Sequence, residues 1–239
     1  MNSPISSSAN QCVNIAENLL QIQQNIADYC QQYNRKRSNV QLLAVSKTKP
    51  IEDIQAAYNA GQRLFGENYL QEALEKISTL SELDIEWHFI GSIQSNKTRD
   101  IAENFAWVHS VDRLKIARRL SNQRPASLPP LNICLEVNIS EEESKSGFLL
   151  TELKTAVAEI HSLPQLRVRG LMAIPAKAAG FDEQRAIFSK MKRSLTNLQK
   201  TYPDLDTLSM GMTNDMQAAI AEGSTIVRIG TAIFGKRDT

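Results

Sequence analysis

Two cationic residues, Lys47 and Arg228, lie in apolar runs that otherwise suit buried strands. Lys47 ends the run VQLLAVSK (40–47), and Arg228 interrupts TIVRIG (225–230). Because side chains alternate along a strand, each cation shares a face with apolar neighbours. If both faces point into one interior, the two cations lie side by side. Such a pair is costly to desolvate unless an anion or a π-system lies between them. The sequence therefore predicts a binding site for a ligand of that kind.

Two short glycine-containing segments could bind the anionic part of such a ligand. They are SMGM (209–212) and RIGT (228–231), and each follows or ends an apolar run. Gly230 allows a close approach of the backbone to a ligand. The N–H groups of Gly230, Thr231 and Ala232 are expected to open a short helix, and a helix N-terminus favours anions.

Other residues that follow apolar runs are also site candidates. They are Asn68, Gly91, Asn138, Met172, Ser209 and Gly211. His88 and Tyr69 could transfer protons, but both have ordinary structural interpretations. We expect His88 to pack as a half-buried, hydrogen-bonded ring and Tyr69 to be a packing or surface aromatic.

The elements that position these residues alternate regularly along the chain. Eight apolar runs predict strands at 40–47, 63–67, 86–91, 106–111, 131–139, 166–174, 206–211 and 225–230. Helical patterns lie between them, and this alternation is typical of a parallel sheet. Eight such units in 239 residues favour a single closed (β/α)8 TIM barrel over an open doubly wound sheet. In a barrel, the carboxyl ends of the strands form the active-site face, where these candidates fall.

An extra helix is predicted before the first strand. Ile15, Leu19, Ile22 and Ile26 recur at helical spacing and form one apolar face. The preceding residues, 1–10, are rich in Ser and Asn, and we expect a flexible tail there. The barrel domain is then predicted to span 11–239.

Composition restricts the possible classes of protein. Lys and Arg number 27 against 26 acidic residues, so charge gives no argument for nucleic acid or an anionic membrane surface. The N-terminus lacks the pattern of a secretory signal, and no run is long enough to span a bilayer. Cys12, Cys30 and Cys134 are widely spaced, which argues against a disulfide framework or a metal site. Reduced thiols in a cytoplasmic protein are therefore expected.

Seven segments together resemble one family, the pyridoxal phosphate homeostasis proteins. These are single-barrel relatives of the alanine racemase N-terminal domain. The segments are AVSKTKP (44–50), FGENYLQE (65–72), WHFIGSIQSNK (87–97), LEVNISEEESKSGF (135–148), GLMAIP (170–175), LSMGMTNDMQAAI (208–220) and TIVRIGTAIFG (225–235). They cover nearly all of the chain from about residue 40 onward. Ile93 and Thr213 depart from the residues common in the family, and neither is expected to touch the chemistry.

The resemblance implies pyridoxal 5′-phosphate (PLP) as cofactor, held by Lys47 as a Schiff base. It implies that the phosphate is held by Ser209, Gly230 and Thr231, and that Arg228 faces the pyridine nitrogen. Asn68, Met172 and Met210 are expected near the ring. An Arg at the ring nitrogen makes the ring a poorer electron sink and argues against aminotransferase chemistry.

Three functions fit these features. The favoured one is a PLP-binding protein of vitamin B6 homeostasis without a dedicated reaction, which could pass PLP to apo-enzymes. The alternative is a PLP-dependent amino-acid racemase or related enzyme. That chemistry needs a second proton donor opposite the lysine, which in the racemases comes from an additional domain not expected here. A regulatory protein that uses PLP as a signal is the third. We expect a monomer.

Overall fold

The protein folds as a closed barrel of eight parallel strands surrounded by helices. The computed structural model describes residues 13–142, 145–176, 178 and 180–236. The strands are β1 (Gln41–Val45), β2 (Leu64–Glu67), β3 (Glu86–Phe89), β4 (Trp107–Val111), β5 (Leu131–Glu136), β6 (Leu166–Met172), β7 (Thr207–Ser209) and β8 (Ile226–Ile229). The helices are α1 (Ile15–Gln32), α2 (Ile51–Asn59), α3 (Leu70–Thr79), α4 (Thr98–Asn104), α5 (Leu114–Gln123), α6 (Leu153–His161), α7 (Phe181–Gln199), α8 (Met216–Ala221) and α9 (Thr231–Phe234).

The strands pair in chain order, and β1 pairs with β8 to close the sheet. At this closure Leu43 lies opposite Arg228 and Ala44 opposite Ile229. The predicted barrel is confirmed, and the open doubly wound sheet is wrong. Several strands end earlier than predicted, as in β1, which stops at Val45. The residues beyond the strand ends, Lys47 among them, therefore lie on loops at the barrel mouth.

The predicted N-terminal helix is present as α1. Asn14 caps it, because its side-chain oxygen accepts a hydrogen bond from the Glu17 N–H at 3.2 Å. The predicted face of α1 is buried, and the helix packs on α2, α8 and α9. The expected tail at 1–10 lies outside the described residues.

The core has two layers. Apolar side chains fill the space between strands and helices, as in most barrels of this type. Inside the barrel, Trp107, Cys134 and Met172 form a small separate cluster. Much of the remaining interior is polar, and it includes the buried residues His88, His109, Ser209 and Arg228. Such a polar interior is stable only when its groups are hydrogen-bonded to one another.

The expectations about cysteines, metal sites and membrane spans can be compared with the structure only over the described residues. Cys30 and Cys134 are buried free thiols, whereas Cys12 lies outside the described residues. In the described part of the chain, no group of three His, Cys, Asp or Glu residues is arranged to hold a metal ion. Over the same residues, no helix has the length and apolar character needed to cross a membrane.

Candidate functional site

Lys47 lies on a tight turn immediately after β1. Its neighbour Thr48 has a φ of 61°, a left-handed conformation that is unusual for a β-branched residue. The carboxylate of Glu72 accepts a hydrogen bond from the Thr48 N–H at 2.6 Å and so holds this turn. Backbone strain of this kind persists only where surrounding contacts enforce it, and it concentrates at functional sites.

A buried ion-pair cluster is hydrogen-bonded to the residues of the same turn. Lys76 of α3 donates to the Ser46 carbonyl at 2.8 Å and to the carboxylates of Glu67 and Glu72 at 2.8 and 2.5 Å. The Ser46 hydroxyl donates to Glu67 at 2.6 Å. Burial raises the pKa of Glu67, and the Lys76 ammonium opposes that shift. The two residues that flank Lys47 in sequence are thus both held by this cluster.

Two adjoining cavities open at the ends of the strands. The smaller, of about 40 Å³, is lined by Val45, Lys47, Lys49, Gly230 and Thr231 together with Gly235. The larger, of about 620 Å³, is lined in part by Thr213, Thr231 and Ala232. Thr231 lines both, so the Lys47 turn and the loops after β7 and β8 meet at one place.

Thr213 was expected to lie outside the chemistry, and that expectation stays a prediction. The residue lines the larger cavity together with Thr231. The sequence carried a signal for it, because Thr213 has a hydroxyl group and lies in the segment that follows β7. Ser209, in contrast, is fully buried in the barrel interior.

Arg228 is buried and extensively hydrogen-bonded. One terminal nitrogen donates to the carbonyl and hydroxyl oxygens of Ser209 at 2.6 and 2.8 Å, and the other donates to the Ala173 carbonyl at 3.0 Å. Burial lowers the pKa of Arg228 to about 10, which leaves it charged at neutral pH. A guanidinium has five N–H donors, so these three bonds leave further donors for a ligand.

The three residues expected near the ring occupy different environments. Met172 lies in the barrel interior beside Trp107 and Cys134. Met210 is fully buried in the apolar layer between strands and helices, so the structure does not bring it to the cavities. Asn68 follows β2, and its side-chain oxygen is buried without a hydrogen-bond partner.

Two glycines allow the close backbone contacts of this region. A Cβ on Gly230 would lie 3.0 Å from the Val45 carbonyl oxygen, and one on Gly91 would lie 2.1 Å from the Asn68 carbonyl oxygen. A side chain at Gly91 would therefore displace the loop that carries Asn68. The structure places both glycines at the carboxyl ends of strands, as predicted.

The expected structural roles of His88 and Tyr69 fit their positions. Tyr69 is 52% exposed. His88 is fully buried rather than half-buried, and both ring nitrogens are hydrogen-bonded, to Glu86 and His109.

Glu136, at the end of β5, is a titratable residue that was not among the candidates from the sequence. Burial and the nearby charge of Asp112 raise the pKa of Glu136 to about 7.

Comparison with known proteins agrees with this architecture. The alanine racemase N-terminal domain family matches residues 18–238. The chain is 56% identical over 224 residues to the pyridoxal phosphate homeostasis protein of Pseudomonas aeruginosa, covering 94% of this chain and 96% of that protein. Identity to the protein of the same name from Escherichia coli K12 is 53% over 227 residues, covering 94% of this chain and 97% of that protein.

Solved structures extend this similarity. PipY of Synechococcus elongatus PCC7942, solved with PLP bound, is 37% identical with a TM-score of 0.80, and the match covers 92% of this chain and all of that one. The PLP-free PipY structure matches with a TM-score of 0.83 and 38% identity over the same shares of the two chains. The chain therefore belongs to the alanine racemase N-terminal domain family, within its group of pyridoxal phosphate homeostasis proteins.

Proposed function

We propose that this protein binds PLP as a Schiff base on Lys47 and serves intracellular PLP homeostasis without a dedicated reaction. The observation that carries the proposal is the meeting of Lys47, Gly230 and Thr231 around one cavity, which adjoins a larger one at Thr231. The names of the relatives and the bound PLP of PipY support it.

The residues around the cavities fit the parts of PLP. Thr213 and Thr231 offer hydroxyl groups for the phosphate, and Thr231 and Ala232 begin α9, where backbone N–H groups have no intrahelical acceptor. Thr213 replaces Ser209 in this proposal, because the Ser209 hydroxyl is already bonded to Arg228. The unpartnered oxygen of Asn68 offers one further polar contact beside the ring.

Arg228 supports a holding role over a catalytic one. When bound, PLP supplies an aldehyde that condenses with amines and a ring that withdraws electrons. A charged guanidinium beside the ring nitrogen disfavours a second positive charge there and so weakens electron withdrawal. We propose that Lys47 holds the cofactor with its aldehyde masked and that PLP is passed to apo-enzymes from a monomeric, cytoplasmic protein.

Borohydride reduction followed by peptide mapping tests the site. We expect reduced PLP on Lys47 alone, and Lys47→Ala should abolish the label. Lys49→Ala is the matched control, because the Lys49 ammonium donates to the carbonyls of Phe234 and Lys236 at 2.8 and 2.9 Å. A label on Lys49 or on the exposed Lys97 would show that the site is assigned wrongly.

The racemase alternative requires a proton donor facing Lys47. Tyr69 is half exposed, and both ring nitrogens of His88 are engaged in the barrel interior. We therefore expect no amino-acid racemisation at rates typical of an enzyme, on the order of 1–10³ s⁻¹. Deuterium exchange at Cα in heavy water, with chiral chromatography, measures it. Robust turnover that Tyr69→Phe, His88→Ala or Glu136→Gln abolishes would make this protein an enzyme.

A further inference from the structure

A continuous chain of hydrogen bonds crosses the barrel interior from Glu86 to Arg228. The Glu86 carboxylate lies 3.0 Å from His88 Nε2, and His88 Nδ1 lies 2.8 Å from His109 Nε2. His109 Nδ1 lies 2.7 Å from the Ser209 hydroxyl, which in turn accepts a hydrogen bond from Arg228 at 2.8 Å. The chain connects the start of β3, at the amino-terminal face of the barrel, with the cation near its mouth.

The chemistry of the two ends fixes the direction of every bond. Arg228 can only donate, and an ionised Glu86 can only accept. A neutral His88 must therefore carry its proton on Nε2 and donate to Glu86, which leaves its Nδ1 to accept from His109 Nε2. A neutral His109 then has no proton on Nδ1. The Ser209 hydroxyl, which accepts from Arg228, donates its own proton to that nitrogen.

The surroundings keep both rings neutral, as this arrangement requires. Burial lowers the pKa of His88 and lowers that of His109 further, and the charge of Arg228 contributes to the second shift. The hydrogen bond from His88 lowers the pKa of Glu86, so its carboxylate stays ionised. The Trp107 ring stacks on His88 with 5.4 Å between centroids and a 6° interplanar angle, which restrains the ring plane.

We infer that His88, His109 and Ser209 are positioning residues that hold the Arg228 guanidinium in a single orientation toward the ring nitrogen of the cofactor. The Ser209 hydroxyl and carbonyl together fix one terminal nitrogen of Arg228, and Ala173 fixes the other. The remaining donors then have a defined direction. The part of this inference that concerns the cofactor rests on the proposed function. The existence of the hydrogen-bond chain does not depend on it.

The first test uses the PLP-free protein and nitrogen-15 NMR of its histidines. The sequence has three histidines, so the spectrum is simple, and the surface ring of His161 provides reference signals. We expect His88 and His109 both to be neutral with the proton on Nε2. A proton on Nδ1 of either ring, or a charged ring at neutral pH, would overturn the directed chain.

The second test links the chain to the ring nitrogen. Ser209→Ala should weaken binding of PLP by about 2- to 10-fold, the effect of one lost hydrogen bond. It should leave binding of deazapyridoxal 5′-phosphate, in which a C–H replaces the ring nitrogen, nearly unchanged. Thr207→Val is the matched control, because it removes another buried hydroxyl from the same face of β7. The Thr207 hydroxyl is bonded to Asp206 and not to Arg228.

The outcomes separate this inference from the proposed function. Equal weakening of both ligands by Ser209→Ala, or no weakening of either, overturns the positioning role while PLP binding on Lys47 stands. A wild-type protein that binds neither ligand overturns the proposed function and, with it, the orientation of Arg228 toward the cofactor. The histidine signals would still report whether the directed chain exists.

Discussion

Thr213 and Thr231 line the larger cavity, and their hydroxyl groups are the proposed phosphate ligands. Replacing either by Val should weaken PLP far more than pyridoxal, which lacks the phosphate. One lost charge-assisted hydrogen bond is worth roughly 1.5–3 kcal/mol, or about 10- to 150-fold in affinity. Equilibrium titration with both ligands measures the difference. The control is Thr201→Val, on a distant surface cavity. Equal loss for PLP and pyridoxal would remove these residues from the phosphate site.

Glu136 is expected to make the free energy of unfolding depend on pH. Its pKa rises from 4.5 to about 7 in the folded protein, because burial and Asp112 disfavour its charged form. The folded chain therefore binds more protons than the unfolded chain between these values. The free energy of unfolding falls as the pH rises through this window, by at most roughly 3 kcal/mol, and is then level. Glu136→Gln should remove this fall.

Urea denaturation near pH 5 and near pH 8 measures the Glu136 effect. Relative to wild type, Glu136→Gln should gain stability at the higher pH. The control is Glu159→Gln, a surface residue of α6 paired with Arg118. If the wild type and Glu136→Gln show the same dependence on pH, Glu136 is ionised in the folded protein and its environment is more polar than its burial indicates.

At the residue scale, strand alternation predicts which side chains enter the barrel interior, whereas it does not predict where residues on the following loops lie. Arg228 and Met172 lie in the barrel interior. Met210, one residue beyond β7, joins the outer apolar layer instead. The segment after β7 changes direction at Gly211, which has a φ of 97°. No periodicity predicts which of Ser209 and Thr213 faces the cavity after such a turn.

At the scale of elements, α3 is expected to hold the Lys47 turn through Lys76. Lys76→Met keeps most of the side-chain volume but leaves the buried carboxylate of Glu67 without its ion-pair partner. Removing one partner of a buried pair costs roughly 3–5 kcal/mol. We expect that loss in chemical denaturation, together with slower borohydride labelling of Lys47. Lys115→Met, on the exposed face of α5, is the control and should change neither.

The Lys76 prediction fails if stability falls and Lys47 is labelled as fast as in wild type. In that case the cluster would support only the fold.

Sequence reasoning could not have found this cluster, because Glu67 and Lys76 look like ordinary charges at a strand end and in a helix. The apolar runs that form the strands were predictable, since parallel strands buried on both faces must be apolar along most of their length.

At the scale of the whole molecule, the barrel has a polar interior and depends on its outer layer for apolar burial. The hydrogen-bonded side chains that link Glu86 to Arg228 occupy space that aliphatic side chains fill in many barrels. The hydrophobic free energy must therefore come mainly from helices packed on the outside of the strands. The N-terminal helix α1 contributes to that layer near the closure between β1 and β8, through contacts with α2, α8 and α9.

Ile26, on the buried face of α1, tests whether this helix folds together with the barrel. Ile26→Ala should lower the free energy of unfolding by about 2–5 kcal/mol, because the side chain is fully buried. Leu20→Ala on the same helix, at a position 72% exposed, should change it by about 0.5 kcal/mol or less. Both tryptophans, Trp87 and Trp107, lie in barrel strands, so fluorescence reports the barrel and circular dichroism reports all helices. We expect the two signals to shift together in Ile26→Ala, as in a single cooperative transition. A fluorescence transition left at its wild-type midpoint would mean that α1 unfolds separately and that the barrel closes without it.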